Sequence, residues 1–342
     1  MLNTTEITIA EVAQAAGVSV STVSRILNNK PDVAEKTRQR VQQVIEDLGF
    51  TPHVQAQRLA AGKSRTIALL YPVDYIEFTR QEMGFISGVG KAFGEADFFL
   101  NLITTPITER NLRNLYRSGQ ADGVILMEVD MDDWRVNTLR EWNYPFVMIG
   151  RSADNTGLQF VDLDQENVVI TAFDHLVELG HQQIGFLAFP EILVDRGYGA
   201  AVRSMRGYKK ACEKHDLTPT CLQVDLTIQT LFESTLSLLE KQPGITAIVT
   251  FEGSTTIGVI RALQELGRAI PDDFSVVTVT TEQTAKLISP PLTYINFPSF
   301  DLGYRAAQML ANILNKQPLE VSQIVLPPQL IAGKSTGPAL KH

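Results

Sequence analysis

The sequence is poor in cysteine and has no long hydrophobic run. Its two cysteines, Cys212 and Cys221, stand among 342 residues, which is too few for a disulfide framework or for a zinc site of the CxxC type. No stretch approaches the ~18 consecutive apolar residues of a membrane-spanning helix. The N-terminus contains acids and no cationic segment ahead of an apolar run, so it does not resemble a signal peptide. We therefore expect a cytoplasmic protein without a membrane segment or a metal site.

Positive charge is also scarce. Lys and Arg number 30 against 38 Asp and Glu, a net charge of −8, whereas nucleic-acid-binding proteins usually carry a basic surface. The charge is unevenly distributed, because residues 1–65 carry a net charge of +2 and the remainder carries −10. An acidic remainder would repel phosphate and weaken non-specific DNA binding. The overall charge therefore does not exclude a DNA-binding N-terminal segment.

The chain has no low-complexity tract, and it is too long for one compact core. Single hydrophobic cores stop growing near ~250–300 residues, and the composition, 44% hydrophobic and 20% charged, is ordinary for a globular protein. Two or three domains are expected. No P-loop, dinucleotide fingerprint, nucleophile–base pair or close carboxylate pair is recognisable, so neither a cofactor nor a catalytic residue is predicted.

Two short helices joined by a tight turn are predicted at the N-terminus. Gly17 supplies the left-handed turn, Val18 fills the angle between the helices, and Ser19 caps the second helix. A third helix is predicted from about Ala34 to Leu48. This arrangement is typical of a helix-turn-helix, whose second helix enters the major groove of DNA. A plain helical hairpin packed on a larger domain is the alternative. The periodic apolar residues are Ile9, Val12, Ala13 and Ala16, then Val20, Val23, Ile26 and Leu27.

From Thr66 onward, apolar runs alternate with longer amphipathic segments. Alternating strands and helices predict parallel sheets with ligands bound at the carboxyl ends of the strands. The number of units is enough for two doubly wound lobes. The predicted strands are 66–71, 98–103, 123–127, 146–149, 184–188, 247–250 and 275–280, and the predicted helices are 84–95, 167–179, 200–215, 255–266 and 300–315.

The run AGVSVSTVSRILN (16–28) resembles the headpiece of the lactose-repressor (galactose-repressor) family of bacterial transcription regulators. Residues 31–64 resemble the third helix and hinge of that family. The resemblance implies an α/β fold of two Rossmann-like lobes, similar to periplasmic binding proteins, preceded by an all-α headpiece and a hinge helix. Further similar runs are FVMIGR (146–151), FVDLD (160–164), HLVELGHQQIGFL (175–187), RGYKKAC (206–212), IPDDFSVV (270–277), PPLTYINFP (290–298) and KSTGP (334–338).

The resemblance also implies domain limits. The headpiece would span residues 1–50 and the hinge residues 51–65. The effector-binding and dimerisation core would span residues 66–342. Within it, the N-lobe would comprise about 66–165 and 296–325, and the C-lobe about 166–295 and 326–342.

The resemblance assigns DNA-binding roles to headpiece and hinge residues. Arg25 is expected to read a base, because a guanidinium can bind guanine O6 and N7 together. Leu59 would wedge between base pairs in the minor groove, beside Ala56. His53 stands where the family commonly has Asn. Val20 and Ser21 match further base-reading positions, and Thr8, Ser19, Thr22, Ser24 and Asn28 match phosphate-positioning ones.

Effector-binding candidates follow the strands of the core. A polyol needs acids, amides or Arg to bind its hydroxyls and an aromatic face to stack on its ring. Two departures from the family stand out: Glu252-Gly253 replaces the usual Asn-Asp, and Thr278-Val279-Thr280 replaces Gly-Phe-Asp. The arginine of the helix that follows strand 184–188 is shifted by one position, to Arg203. The candidates are Asp74, Tyr75, Phe78, Glu128, Asp164, Arg203 and Glu252.

These features together predict a DNA-binding repressor of carbohydrate-use genes, acting on the nucleoid in the cytoplasm. A homodimer would bind a pseudo-palindromic operator, and a sugar between the lobes would release it. The segment after Gly333 lacks a leucine heptad, so a dimer is expected and not a tetramer. Two alternatives remain: a sensor of a purine-like co-repressor, and a sugar-binding or sugar-processing protein that does not act on DNA.

Overall fold

The computed structural model describes residues 7–27, 32–50, 64–72 and 80–340. Its N-terminal part is a bundle of three helices, α1 (Ile9–Ala16), α2 (Val20–Leu27) and α3 (Glu35–Leu48). Gly17 and Gly49 end α1 and α3 with φ angles of 63° and 62°, a conformation that glycine adopts without steric cost. Val12, Val23 and Val41 are completely buried between the helices. The predicted helix-turn-helix and third helix are thus confirmed.

The remainder of the described chain forms two six-stranded sheets flanked by helices. In the first sheet the strand order is β11-β5-β4-β3-β1-β2, and in the second it is β12-β10-β9-β8-β6-β7. The strands are β1 (Thr66–Leu70), β2 (Phe99–Ile103), β3 (Gly123–Leu126), β4 (Phe146–Ile149), β5 (Phe160–Leu163), β6 (Ile184–Ala188), β7 (Cys221–Gln223), β8 (Ala247–Phe251), β9 (Ser275–Thr280), β10 (Thr293–Asn296), β11 (Gln323–Leu326) and β12 (Leu330–Ile331).

Helices cover the faces of both sheets. The helices are α4 (Arg80–Glu95), α5 (Glu109–Arg117), α6 (Trp134–Glu141), α7 (Gln165–Glu178), α8 (Glu191–Arg196), α9 (Gly199–His215), α10 (Ile228–Lys241), α11 (Ile257–Glu265), α12 (Glu282–Leu287) and α13 (Ser299–Leu314). Strand pairing is parallel except between β10 and β12. The predicted α/β fold with two doubly wound lobes is therefore confirmed.

The chain crosses between the lobes at three places: after β5, after β10 and after β11. Helix α13 returns to the first lobe, where it packs along α4 and against β3, β4 and β5. We call the lobe built on the first sheet the N-lobe and the lobe built on the second sheet the C-lobe. Because the carboxyl ends of strands in both sheets face the crossing region, side chains that follow the strands meet between the lobes.

The sequence patterns predicted seven of the twelve described strands. They missed the buried strands β5 and β10, whose apolar runs are interrupted by polar residues, and three edge strands. All seven predicted strands and all five predicted core helices are present within a few residues of their expected bounds. The missed strands include β7 and β11, which lie at sheet edges and are partly exposed, so they lack the continuous apolar run of a buried parallel strand. Within the described ranges no helix is long and apolar enough to cross a membrane, and no cluster of three metal-ligating side chains occurs.

Candidate functional site

Helix α2 presents one polar face to solvent and buries the other. Val23 and Ile26 are buried against the rest of the bundle, whereas Val20 is 45% exposed. Ser21 and Arg25 are also exposed. Since residues four apart in a helix lie on the same side, Ser21 in the first turn and Arg25 in the last turn of α2 share one exposed side, next to Val20. The predicted base-reading residues Val20, Ser21 and Arg25 therefore lie together.

Two of the predicted phosphate-contacting residues also cap helices. The Thr8 hydroxyl accepts a hydrogen bond from the Glu11 amide (3.3 Å), and the Glu11 carboxylate accepts one from the Thr8 amide (2.6 Å). Hydrogen bonding by Thr8 lowers the pKa of Glu11. The Ser19 hydroxyl accepts from the Thr22 amide (3.2 Å) and lies 2.8 Å from the Thr22 hydroxyl. These caps hold both helix starts in place. Ser24, on the next turn of α2, is half-buried.

Arg25 has an acidic neighbour in the loop between α2 and α3. Its Nη2 atom lies 3.2 Å from Oδ2 of Asp32, and the two side chains are 61% and 50% exposed. An ion pair this exposed contributes little, ~0–1 kcal/mol. The guanidinium can therefore exchange Asp32 for a base edge at small cost.

Seven predicted site residues lie outside the described part of the chain. They are Asn28, His53, Ala56 and Leu59 among the DNA-binding predictions, and Asp74, Tyr75 and Phe78 among the effector-binding ones. Their roles stay predictions.

The segment that leads from the predicted hinge into the N-lobe is fixed by one carboxylate. Asp122, just before β3, accepts hydrogen bonds from the Ser64 amide (2.8 Å), the Ser64 hydroxyl (2.9 Å) and the Arg65 amide (2.7 Å). The chain thus enters the N-lobe at a defined point. Sequence reasoning missed Asp122, because its partners are more than fifty positions away in the chain.

A cavity of about 1010 Å³ lies between the lobes, at the carboxyl ends of their strands. We call it the interlobe cavity. Three of the four described effector-binding candidates, Glu128, Arg203 and Glu252, line it. The ends of β3, β4 and β5 and helix α4 contribute to its N-lobe wall, and the loops after β6, β7 and β8 and helix α12 contribute to its C-lobe wall. Wall residues that the sequence did not single out include Arg151, Asp162, Gln165, Phe189, Tyr198 and Asp225.

The fourth candidate, Asp164, is not among the lining residues of this cavity. Its carboxylate accepts hydrogen bonds from the Asn167 amide (3.3 Å) and from Asn167 Nδ2 (2.7 Å), and so caps α7. The chain turns into α7 directly after β5, which places Asp164 at the helix start. The acid that reaches the cavity is Asp162, inside β5, which is 8% exposed. Burial raises the pKa of Asp162 to about 6.

Glu128 faces the cavity from the end of β3 with a side chain 9% exposed. Burial raises the pKa of its carboxyl to about 7, although Arg196 and Arg135 oppose this shift. Arg196 belongs to the C-lobe and lies 3.7 Å from Glu128 and 3.0 Å from Asp130. This arginine therefore joins the two lobes electrostatically.

The backbone joins the lobes at the same place. The Gly199 amide donates to the Val129 carbonyl (2.9 Å), and the Met131 amide donates to the Gly197 carbonyl (2.7 Å). A Cβ atom at Gly199 would lie 2.9 Å from the Val129 oxygen, closer than side-chain carbons approach. Glycine is thus required for this contact.

Arg203 is the second arginine that spans the lobes. It extends from α9, is 7% exposed, and donates to the carbonyl oxygens of Arg151 (2.9 Å) and Ser152 (3.0 Å) in the N-lobe. Burial lowers the pKa of Arg203, and the Asp162 carboxylate opposes that shift. The guanidinium lines the cavity while it holds the loop after β4.

Glu252 and the threonines of β9 occupy the places where the sequence departs from the lactose-repressor pattern that it resembles. Glu252 has a φ of 59°, and its Oε1 accepts from the Ser254 hydroxyl (2.9 Å). Thr278 and Thr280 are buried, and Thr278 accepts a hydrogen bond from Thr256 (3.1 Å). Glu252 therefore lines the cavity, whereas Thr280 supplies no acid there.

Aromatic side chains form part of the C-lobe wall. The rings of Phe189 and Phe251 stack with centroids 4.4 Å apart, and Tyr198 meets Phe189 edge to face at 6.1 Å. Phe189 directly follows β6, and Asp225 lies two residues after β7. Because β6 was predicted, the rule that ligand-binding residues follow strands could have found Phe189. It would have found Asp225 only if β7 had been predicted as well.

Comparisons with known proteins agree with both parts of the chain. Residues 8–53 match the family described as "Bacterial regulatory proteins, lacI family". Residues 173–336 match the family described as "Periplasmic binding protein-like domain". Catabolite control protein A of Priestia megaterium is 27% identical over 337 residues, covering 96% of this chain and 99% of that protein. The HTH-type transcriptional regulator CelR of Thermobifida fusca is 28% identical over 338 residues, covering 96% and 98%.

Two solved structures are similar over nearly the whole chain. A complex of the transcriptional regulator CelR with cellobiose is 26% identical, with a TM-score of 0.68, and the match covers 96% of this chain and 99% of that one. A lac repressor dimer bound to operator and the anti-inducer ONPF is 24% identical, with a TM-score of 0.82 and coverage of 97% and 99%. The second likeness establishes the fold.

Proposed function

Because the chain belongs to the lacI family of bacterial regulatory proteins, we propose that it is a homodimeric repressor of carbohydrate-use genes. Two headpieces bind a pseudo-palindromic operator, and a saccharide in the interlobe cavity releases them. The protein acts in the cytoplasm, on the nucleoid, and it is not an enzyme. We propose the domain limits expected from the sequence: a headpiece at 1–50, a hinge at 51–65 and the two-lobed core at 66–342.

One observation carries the proposal: the same chain combines an exposed recognition surface with a ligand-sized cavity. Val20, Ser21 and Arg25 lie on the exposed side of a capped helix, as base-reading residues of a helix-turn-helix must. The cavity lies between two lobes, and Asp122 fixes the chain leading from hinge to N-lobe. A change in lobe geometry can therefore reach the hinge.

A saccharide suits the polar groups of the cavity. Carboxyl, amide and guanidinium groups line it together with aromatic rings, a combination that binds vicinal hydroxyls and stacks on the apolar face of a sugar ring. The cellobiose bound to CelR supports the same class of ligand. The saccharide shifts the DNA-binding equilibrium only by its different affinities for the two lobe arrangements.

The test is DNA binding measured by fluorescence anisotropy with the full-length protein. An operator selected from random DNA is titrated at several salt concentrations, and the affinity is expected to fall log-linearly with salt, by a slope near −0.9 per phosphate neutralised. Addition of the cognate saccharide is expected to weaken operator binding. Absence of any selected sequence would contradict the DNA-binding role. Tighter binding with a purine would favour the co-repressor alternative.

A further inference from the structure

We propose that the interlobe cavity selects an uncharged oligosaccharide of at least two rings and rejects phosphorylated sugars, with Asp162 and Gln165 accepting hydrogen bonds from its hydroxyls. This inference rests on the proposed function and deepens it by naming the ligand class.

The charge of the cavity excludes anions. Five carboxyl groups line it, against two arginines, and no lysine or histidine is among the described lining residues. Burial favours the neutral forms of Glu128 and Asp162 by raising their pKa values, but three further acids remain. A phosphate group in this cavity would lose its hydration and face the negative charges of those acids, which costs free energy. A neutral ligand avoids that penalty. The five acids are Glu82, Glu128, Asp162, Asp225 and Glu252.

Both cavity arginines are already engaged by protein acceptors. Arg203 donates to two carbonyl oxygens of the loop after β4. Arg151 lies 3.0 Å from Asp162 and 4.0 Å from Asp164. Capture of a phosphate by Arg203 would leave these two carbonyl oxygens without their donor, which is costly for buried acceptors. Capture by Arg151 would remove the positive charge that lies beside Asp162. The arginines therefore act as fixed parts of the wall.

Two buried acceptor atoms that belong to lining residues of the cavity receive no hydrogen bond from the described residues. Oε1 of Gln165 is one, on a residue that is 6% exposed, and Oδ2 of Asp162 is the other, on a residue that is 8% exposed. Oδ2 is near Arg151 without the geometry of a hydrogen bond. Since buried polar atoms are nearly always paired, these two atoms require donors. Ligand hydroxyl groups are donors of the right kind.

The dimensions of the cavity favour more than one sugar ring. Its volume of about 1010 Å³ is at the upper limit of the ~300–1,000 Å³ typical of small-molecule pockets. The stacked Phe189 and Phe251 form an aromatic platform in the C-lobe wall. Exposed apolar side chains, Ile192 and Leu287 among them, extend this surface. Such a surface can cover the apolar face of a second ring.

The test is a thermal-shift screen of the full-length protein. The probes are neutral di- and trisaccharides of glucose, galactose, mannose, xylose and fructose, the same monosaccharides, glucose 6-phosphate, trehalose 6-phosphate and hypoxanthine. A neutral oligosaccharide is expected to raise Tm, and its affinity by calorimetry is expected to exceed that of its monosaccharide by at least about tenfold. The phosphorylated sugars are expected to cause no shift.

Two variants test the residues. Gln165→Met keeps the side-chain volume and removes the hydrogen-bond acceptor, so it should weaken binding of the oligosaccharide by up to about tenfold. Gln317→Met, at an exposed site outside the cavity, is the matched control. It should bind the oligosaccharide with wild-type affinity. The double variant Asp225→Asn with Glu252→Gln removes two negative charges, so it should gain affinity for the phosphorylated sugars. Melting of each variant without ligand verifies folding.

A Tm increase with a phosphorylated sugar, with hypoxanthine or with a monosaccharide alone would overturn the inference, as would a screen without any shift. Undiminished oligosaccharide binding by folded Gln165→Met would overturn the assignment of Gln165. Operator affinity, measured separately, distinguishes these failures from that of the proposed function. If the purified protein binds operator and a phosphorylated sugar changes that binding, the proposed regulatory role stands and the assignment of an uncharged oligosaccharide is wrong.

Discussion

The guanidinium of Arg203 in the C-lobe donates a 3.0 Å hydrogen bond to the carbonyl oxygen of Ser152 in the N-lobe. The same side chain lines the interlobe cavity. A ligand that contacts Arg203 therefore also contacts a group that holds the two lobes together. We therefore expect occupancy of the cavity to be coupled to lobe geometry through this one side chain.

Substitution Arg203→Ala should abolish the response to saccharide while operator binding itself persists. It leaves two N-lobe carbonyl oxygens without their donor, and each buried unsatisfied group costs ~1–3 kcal/mol of stability. Operator anisotropy with and without saccharide, together with urea unfolding, measures both effects. Arg206→Ala, at an exposed position of the same helix, is the control. A folded Arg203→Ala protein that saccharide still releases would refute this role.

Glu128 should make the protein less stable as pH rises. Its pKa is about 7 in the folded protein against an ordinary value of 4.5, so the folded state holds the proton through that interval while the unfolded state has lost it. Unfolding free energy therefore falls between these pH values, by about 3 kcal/mol if Glu128 acts alone. Asp162, with a pKa of about 6, adds a slope of the same sign.

Urea unfolding at about pH 5 and about pH 8 measures this slope. The Glu128→Gln variant should show a smaller loss of stability between the two pH values, because its side chain does not titrate. Glu265→Gln, at an exposed carboxyl, should keep the wild-type slope. An unchanged slope in Glu128→Gln would show that Glu128 is not protonated in the folded protein.

Arg25→Ala should reduce discrimination at one base pair of each operator half-site, by ~1–3 kcal/mol. The measurement is anisotropy with operators that carry each base at the affected position, compared with random DNA. An equal loss on operator and random DNA would mean that Arg25 contacts phosphate. Asp32→Asn removes the exposed partner of Arg25 and should alter affinity only slightly.

Leu59→Ala should remove operator bending and most of the specific affinity. An apolar wedge kinks the duplex at a base step, and the extra contacts of the bent DNA repay the cost of unstacking. Gel mobility of DNA fragments with the operator at different positions reports the bend. Bending equal to that of the wild-type complex would exclude Leu59 as the wedge.

The sequence determined the headpiece because its signals are local. Apolar spacing, the turn at Gly17 and the cap at Ser19 involve residues no more than a few positions apart, and the helices begin and end where these signals predict. Most buried strands were equally readable, since parallel strands covered on both faces are continuous apolar runs. The buried strands β5 and β10 were missed, because polar residues interrupt their apolar runs. Strand alternation with helices then determined the α/β class and the position of the cavity at the strand ends.

Only the tertiary structure decided which side chains face that cavity. Asp164 and Asp162 are two positions apart in the run FVDLD (160–164), yet Asp164 caps α7 and Asp162 lines the cavity. The contacts of Arg203 with residues 151–152, and of Arg196 with Glu128 and Asp130, join segments more than fifty positions apart. Such contacts depend on how the two sheets approach each other, which local propensity and periodicity do not encode.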